Sequence, residues 1–198
     1  IWLLLVCVSI ILMVGVGGAT RLTHSGLSMV DWKPITGILP PLNAQAWEAE
    51  FAQYKQYPEY QKLNKGMSLD AFKAIFYWEY GHRVLGRVIG LIFVVPFLYF
   101  WFAGRIERPR RSRFLIVLAL GGSQGLLGWF MVKSGLVDRP SVSHFRLAAH
   151  LCLALFILAY VFDLVLSMST QQSAAVPSGF RRIVQIFTLL LVTQLIYG

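Results

Sequence analysis

Residues 76–103 read FYWEYGHRVLGRVIGLIFVVPFLYFWFA, and this stretch decides the fold. From Val84 onward it is apolar for about 20 residues, which at roughly 1.5 Å of rise each spans a bilayer core. Arg87 lies near its start, and Pro96 inside it predicts a kink. Working outward, similar segments recur at 1–19, broken only by Ser9, at 114–132, holding Ser123 and Gln124, and at 145–167. A fifth runs from 183 to 198. The whole composition agrees. Of 198 residues, 57% are hydrophobic and 14% charged, with a mean hydropathy of +0.62, against about 25% charged in an ordinary soluble domain. A disordered chain is excluded and a soluble domain disfavoured. The expectation is an all-α integral membrane protein: a four-helix transmembrane bundle, the start of a fifth helix, and a long outer loop, about 20–70, between helices one and two. The chain starts at Ile1 and stops at Gly198, each inside an apolar run, which reads as a piece of a longer protein. No small-residue cleavage site follows the first run, so a signal peptide fits poorly.

The 18 basic residues give a net charge of +9. Several sit beside long apolar runs, so they read as a topology signal and not as a nucleic-acid face. The link 105–113 carries five arginines against Glu107, and the link before the fifth segment carries Arg181 and Arg182. These links belong on the cytoplasmic side, or the matrix side in a mitochondrion. The segment 20–70 balances Arg21, Lys33, Lys55, Lys62 and Lys65 against Asp31, Glu48, Glu50, Glu59 and Asp70, and belongs outside, as does the link 133–143. Cys7 and Cys152 lie in separate apolar runs with no CxxC, and read as plain buried residues. In the outer segment Asn43 caps a predicted short helix over 44–56, ended by Pro58. Its Trp47, Phe51 and Tyr54 share one side at i, i+4, i+7. That side suits either the membrane interface, as a lid, or packing on the protein itself. Ser68 or Asp70 starts the second long helix well before the bilayer, so it projects outward.

Of four histidines, His24 and His144 fall at helix ends near water and read as surface residues. His82 lies near the outer end of helix two and His150 one to two turns into helix four. These helices run the same way, so the two rings sit at matched depth. Facing imidazoles across a bundle are what a six-coordinate haem iron needs. Glu79, His82, Gly86 and Gly90 are spaced 3, 4 and 4 and fall within about 80° of arc. Glycines on that stripe admit a flat macrocycle or another helix. Arg146 and His150 share a stripe with Ala154, and Arg146 suits a propionate; Arg83 and Arg87 lie to one side. Plainer readings stand beside these. Glu79 and Arg83 form an i, i+4 pair, Gly86-xxx-Gly90 and Gly121-xxx-Gly125 are helix-packing spacings, Gln124 needs a partner on another helix, and Asp163 pairs with a basic link.

Longer words carry further. GGATRLTHSGLSMVDWKPITG at 17–37, with Leu39-Pro40-Pro41, resembles the end of the first helix and the outer loop of the haem A synthase family. FYWEYGHRVLGR at 76–87 resembles that family's second-helix motif, in which a glutamate precedes a haem-ligating histidine by three. GLLGWFMVKSGL at 125–136 and RLAAH at 146–150 are similar to its third and fourth helices. The resemblance is to the mitochondrial and alphaproteobacterial branch, since the outer loop has no cysteine pair, and to the N-terminal half only.

The resemblance implies a membrane oxidoreductase of cytochrome oxidase cofactor biosynthesis. It oxidises a methyl group of haem O, by two hydroxylations and loss of water, to the formyl group of haem A. Residues 1–170 would be the first haem-binding half, and 171–198 a linker and truncated fifth helix of a second half. His82 and His150 would be metal ligands, Glu79 the catalytic carboxylate, and Arg146, Gly86 and Gly90 cofactor-binding residues. The second half would hold haem B, so the fragment alone would not turn over. Partners implied are haem O as substrate, membrane lipid, an electron donor, haem O synthase or cytochrome oxidase assembly factors, and a second copy of the chain; no nucleic acid is expected. A bis-His cytochrome b that only moves electrons is the alternative, and fits the helices and histidines equally well.

Overall fold

The computed structural model describes residues 1–31, 36–136, 142–168 and 177–197. The helices are α1 Trp2–Leu22, α2 Ala44–Tyr54, α3 Pro58–Lys62, α4 Leu69–Phe102, α5 Arg108–Gly135, α6 His144–Leu166 and α7 Ser178–Tyr197, with a 3-10 turn at Thr36–Ile38. Among the described residues there is no strand, and α1, α4, α5, α6 and α7 are long and apolar enough to cross a membrane. The protein is an all-α, multi-pass membrane protein. Residues 32–35 of the outer segment, Lys33 among them, 137–141 of the link before α6 and 169–176 of the link before α7 lie outside the described residues.

Local chemistry sets the helix ends. Ser68 Oγ accepts from Ala71 N at 3.2 Å and caps α4. The helix therefore begins 15 residues before Val84, roughly 22 Å earlier along its axis. It stays helical through Pro96. A proline in the first turn of α5 needs no intrahelical N–H partner, which lets that helix start directly after the basic link.

Aromatic packing at one end fixes the directions. The Trp2 indole, at the start of α1, stacks on Phe93 at 5.7 Å and on Phe114 at 5.8 Å, and its Nε1 donates to the Ile92 carbonyl at 2.7 Å. Phe97 stacks on Phe114 at 6.0 Å. The start of α1, the end of α4 and the start of α5 thus meet in one layer. Arg113 near the start of α5 pairs with Asp163, and its Nη1 donates to Ser167 Oγ at 3.0 Å, so the end of α6 joins the same layer. Neighbours run antiparallel, and α4 and α6 run the same way. α1 packs along both α4 and α6, α5 packs along α6, and α4 meets α5 only sparsely. Cys7 is buried in this core as a free thiol and Cys152 is free.

At the other end α2 and α3 pack on the outward part of α4. Asn43 Oδ1 accepts from Ala46 N at 2.8 Å and caps α2, while Pro58 opens α3. Phe51 stacks on Phe72 at 4.9 Å, and Trp47 meets Phe76 edge-on at 5.0 Å. The apolar side of α2 is therefore turned onto the protein's own helix and not toward lipid. α7 lies against α6 with none of its described side chains buried.

Candidate functional site

Each of the two membrane-helix histidines rests against a glycine of a neighbouring helix. A Cβ on Gly17 of α1 would meet His82 Nε2 at 3.2 Å, and a Cβ on Gly128 of α5 would meet His150 Cε1 at 3.0 Å. Both rings occupy space that only a glycine leaves open. Their depth follows from the helices behind them. Gly17 lies 15 residues beyond Trp2 and Gly128 lies 14 beyond Phe114, and Trp2 stacks on Phe114. At about 1.5 Å per residue, both rings are roughly 21–22 Å from that layer. The two imidazoles are partly buried.

α5 holds His150 by a second contact. Gln124 Nε2 lies 3.3 Å from His150 Nε2 and donates to the His150 carbonyl at 3.1 Å. The predicted interhelical partner of this intramembrane glutamine is thus His150 itself. Gln124 Oε1 and His150 Nδ1 are buried without a hydrogen-bond partner among the described residues.

One turn outward from His82, Glu79 is 2% exposed. Its Oε2 accepts from Ser28 Oγ at 2.7 Å and from Met29 N at 2.8 Å, and its Oε1 pairs with Arg83. Arg83 also donates to the Met29 carbonyl at 2.8 Å. The i, i+4 pair anticipated from sequence is present, and it is also the clasp that binds the start of the outer loop to α4. His24 allows the chain to turn back toward that clasp. Its φ of 51° is the left-handed conformation, which histidine tolerates better than most residues. Leu27, two residues beyond the buried Ser25, packs into the space left by Gly135 at the end of α5. The loop therefore roofs the outer end of the bundle.

The remaining candidates are dispersed. The Arg146 guanidinium lies over the Phe130 ring at 4.8 Å. Gly86 faces Met13 of α1, where a Cβ would meet its Cε at 3.2 Å, while Gly90, Gly121 and Gly125 have nothing within 4 Å of a Cβ. His24 and His144 are exposed. Gly17 and Gly128, which the stripe argument did not select, are the glycines that touch the histidines. A cavity of about 280 Å³ lined by Met29, Val30, Arg83, Trp129, Val132 and Lys133 opens beneath the roof. A larger one, about 870 Å³, lies at the opposite end around Trp2, Phe100, Arg105 and Phe114, away from the histidines.

Among the described residues, no three His, Cys, Asp or Glu side chains gather to hold a metal ion. A pair of imidazoles at matched depth suits a metal that brings its own equatorial donors, as in a macrocycle. The glycine-backed rings fit such a group.

Comparison with known proteins agrees in extent and kind. The family model COX15-CtaA, described as cytochrome oxidase assembly protein, matches residues 1–198. The chain is 50% identical to the "Heme A synthase" of Azorhizobium caulinodans over 198 residues, all of this chain and 57% of that protein. It is 51% identical to that of Sinorhizobium fredii over 177 residues, 89% of this chain and 48% of the relative. It is 56% identical to that of Paramagnetospirillum magneticum over 168 residues, 85% of this chain and 48% of the relative. The chain spans about half the length of these curated relatives. No solved structure matches it.

Proposed function

The chain belongs to the COX15-CtaA family of cytochrome oxidase assembly proteins, and from that premise we propose that it is the bundle of a haem A synthase that takes haem O as substrate. The activity is the oxidation of a methyl group of haem O to the formyl group of haem A. The observation that carries this reading is the pair of glycine-backed imidazoles, His82 and His150, at one depth on two co-directional helices.

His82 and His150 would hold the substrate's iron, and that iron would supply the redox chemistry. With the glycine-backed slots they would fix the macrocycle in position, and a methyl group offers no charge to grip, so positioning would lower much of the barrier. Glu79 lies one turn outward from His82, within the loop clasp. We assign it the proton-handling or cation-stabilising role at the reacting carbon. Arg146, one turn before His150, reaches a propionate from its place over Phe130. Gly90 leaves open space on the stripe beyond His82, while Gly86 admits the Met13 side chain of α1.

Residues 1–170 form the substrate half, with 171–198 leading out of it. A haem B held outside residues 1–170 would supply electron transfer from a donor. The arginine-rich link before α5 and Arg181–Arg182 face the cytoplasm or matrix, and the α2–α3 layer faces the opposite side. Haem O synthase or oxidase assembly factors deliver and receive the haem, and a second copy of the chain is a candidate partner.

The test is haem extraction after expression of the full-length protein with a haem O supply. Formyl haem supports the enzyme. Haem recovered unchanged, with a bis-His spectrum, supports the electron carrier instead.

A further inference from the structure

We infer that Gln124 and the substrate iron compete for one lone pair on His150, which makes His150 the exchangeable ligand and His82 the fixed one. The inference rests on the reading of both histidines as ligands.

The geometry of Gln124 leaves little choice. Its amide nitrogen is tied to the backbone carbonyl of residue 150 at 3.1 Å, so its N–H end faces His150. A second N–H then points at His150 Nε2, 3.3 Å away. A neutral imidazole has one N–H and one lone pair. With Nε2 accepting from the amide, the proton sits on Nδ1, which is buried with no acceptor among the described residues. Gly128, four residues beyond Gln124 on the same side of α5, keeps the ring in its slot. His82 has no such alternative partner: among the described residues no hydrogen bond reaches its ring nitrogens.

Iron cannot share the Nε2 lone pair with the amide. On ligation the Gln124 hydrogen bond breaks and the coordinate bond forms. On release the hydrogen bond re-forms. No proton moves, because Nδ1 keeps its hydrogen throughout, and no electron is transferred. The protein therefore carries a ready hydrogen-bond donor for His150 Nε2 in its unligated state, which favours release by the worth of one intramembrane hydrogen bond. An iron held on both faces has no open position, and this arrangement provides one on the His150 side without unfolding anything.

The full chain, loaded with haem O and reduced with dithionite, is titrated with carbon monoxide, which binds only where an axial ligand leaves. Gln124→Met keeps the volume and removes the donor. The expected result is that carbon monoxide binds Gln124→Met about five- to tenfold more weakly than wild type. Equal affinity in the two proteins overturns the inference. A second measurement needs no variant. Nitrogen-15 NMR of the haem-free protein, with His150 assigned, is expected to show its proton on Nδ1; a proton on Nε2 overturns the inference. A His150→Ala protein that keeps a six-coordinate low-spin spectrum removes the ligand assignment itself, a failure distinct from an unchanged Gln124→Met.

Discussion

A methyl group added to Gly128 would lie 3.0 Å from His150 Cε1, too close for the ring to stay where it is. Alanine is also the better helix former by about 1 kcal/mol. Gly128→Ala should therefore keep or raise the thermal midpoint of the helices, followed by circular dichroism, while the low-spin haem spectrum weakens or shifts. An unaltered spectrum would detach Gly128 from the site. At Glu79 the two roles separate by product. Glu79→Gln in the full-length protein should retain haem and yield no haem A, and normal haem A would remove its role in the chemistry. The histidines were legible because depth along a span can be counted from sequence. Gly17 and Gly128 were not, because each touches a ring on another helix, and a stripe orders residues along one helix only. For the same reason the stripe favoured Gly86 and Gly90, of which Gly86 meets Met13.

The outer layer of α2 and α3 contains a buried acid. Glu59 accepts from the Tyr54 hydroxyl at 3.1 Å, and that hydroxyl accepts from Asn64 Nδ2 at 2.7 Å. Burial pushes the Glu59 carboxyl up to about 7, with Glu79 adding to the effect and the Tyr54 hydrogen bond opposing it. Burial likewise pushes the Tyr54 hydroxyl up. A carboxyl raised on folding stabilises the folded layer most when protonated. Its contribution is full below the ordinary carboxyl value and is lost as pH rises through about 7. Protection factors of the α2 and α3 amides, with the intrinsic base-catalysed rate divided out, should therefore fall between pH 5 and 8, and Glu59→Gln should flatten that fall. Protection factors independent of pH in the wild type would contradict it. Asn43→Ala should cost this layer about 1 kcal/mol by loss of the α2 cap, measured by the same exchange. The caps at Asn43 and Ser68 were readable because capping is a local hydrogen bond. Which way the aromatic side of α2 faces was not, because periodicity identifies an apolar side without saying what covers it.

Across the molecule, the start of α5 and the end of α6 are joined by Arg113 and Asp163. The Asp163 side chain is 71% exposed, so Asp163→Asn should change stability by less than about 1 kcal/mol in a denaturation series. A larger loss would show that the pair does more than close a surface. The number, order and ends of the spans followed from hydropathy and charge. The lateral arrangement did not: that α1 packs along both α4 and α6 while α4 barely meets α5 has no periodic signature. The clasp of Ser28 and Met29 on Glu79 has a mechanical result. Lifting the loop would break two hydrogen bonds to the buried Glu79 carboxylate and expose Leu27 together, so the start of the loop and α4 are held as one unit. The side between α4 and α5, which touch only sparsely, is by contrast loosely closed.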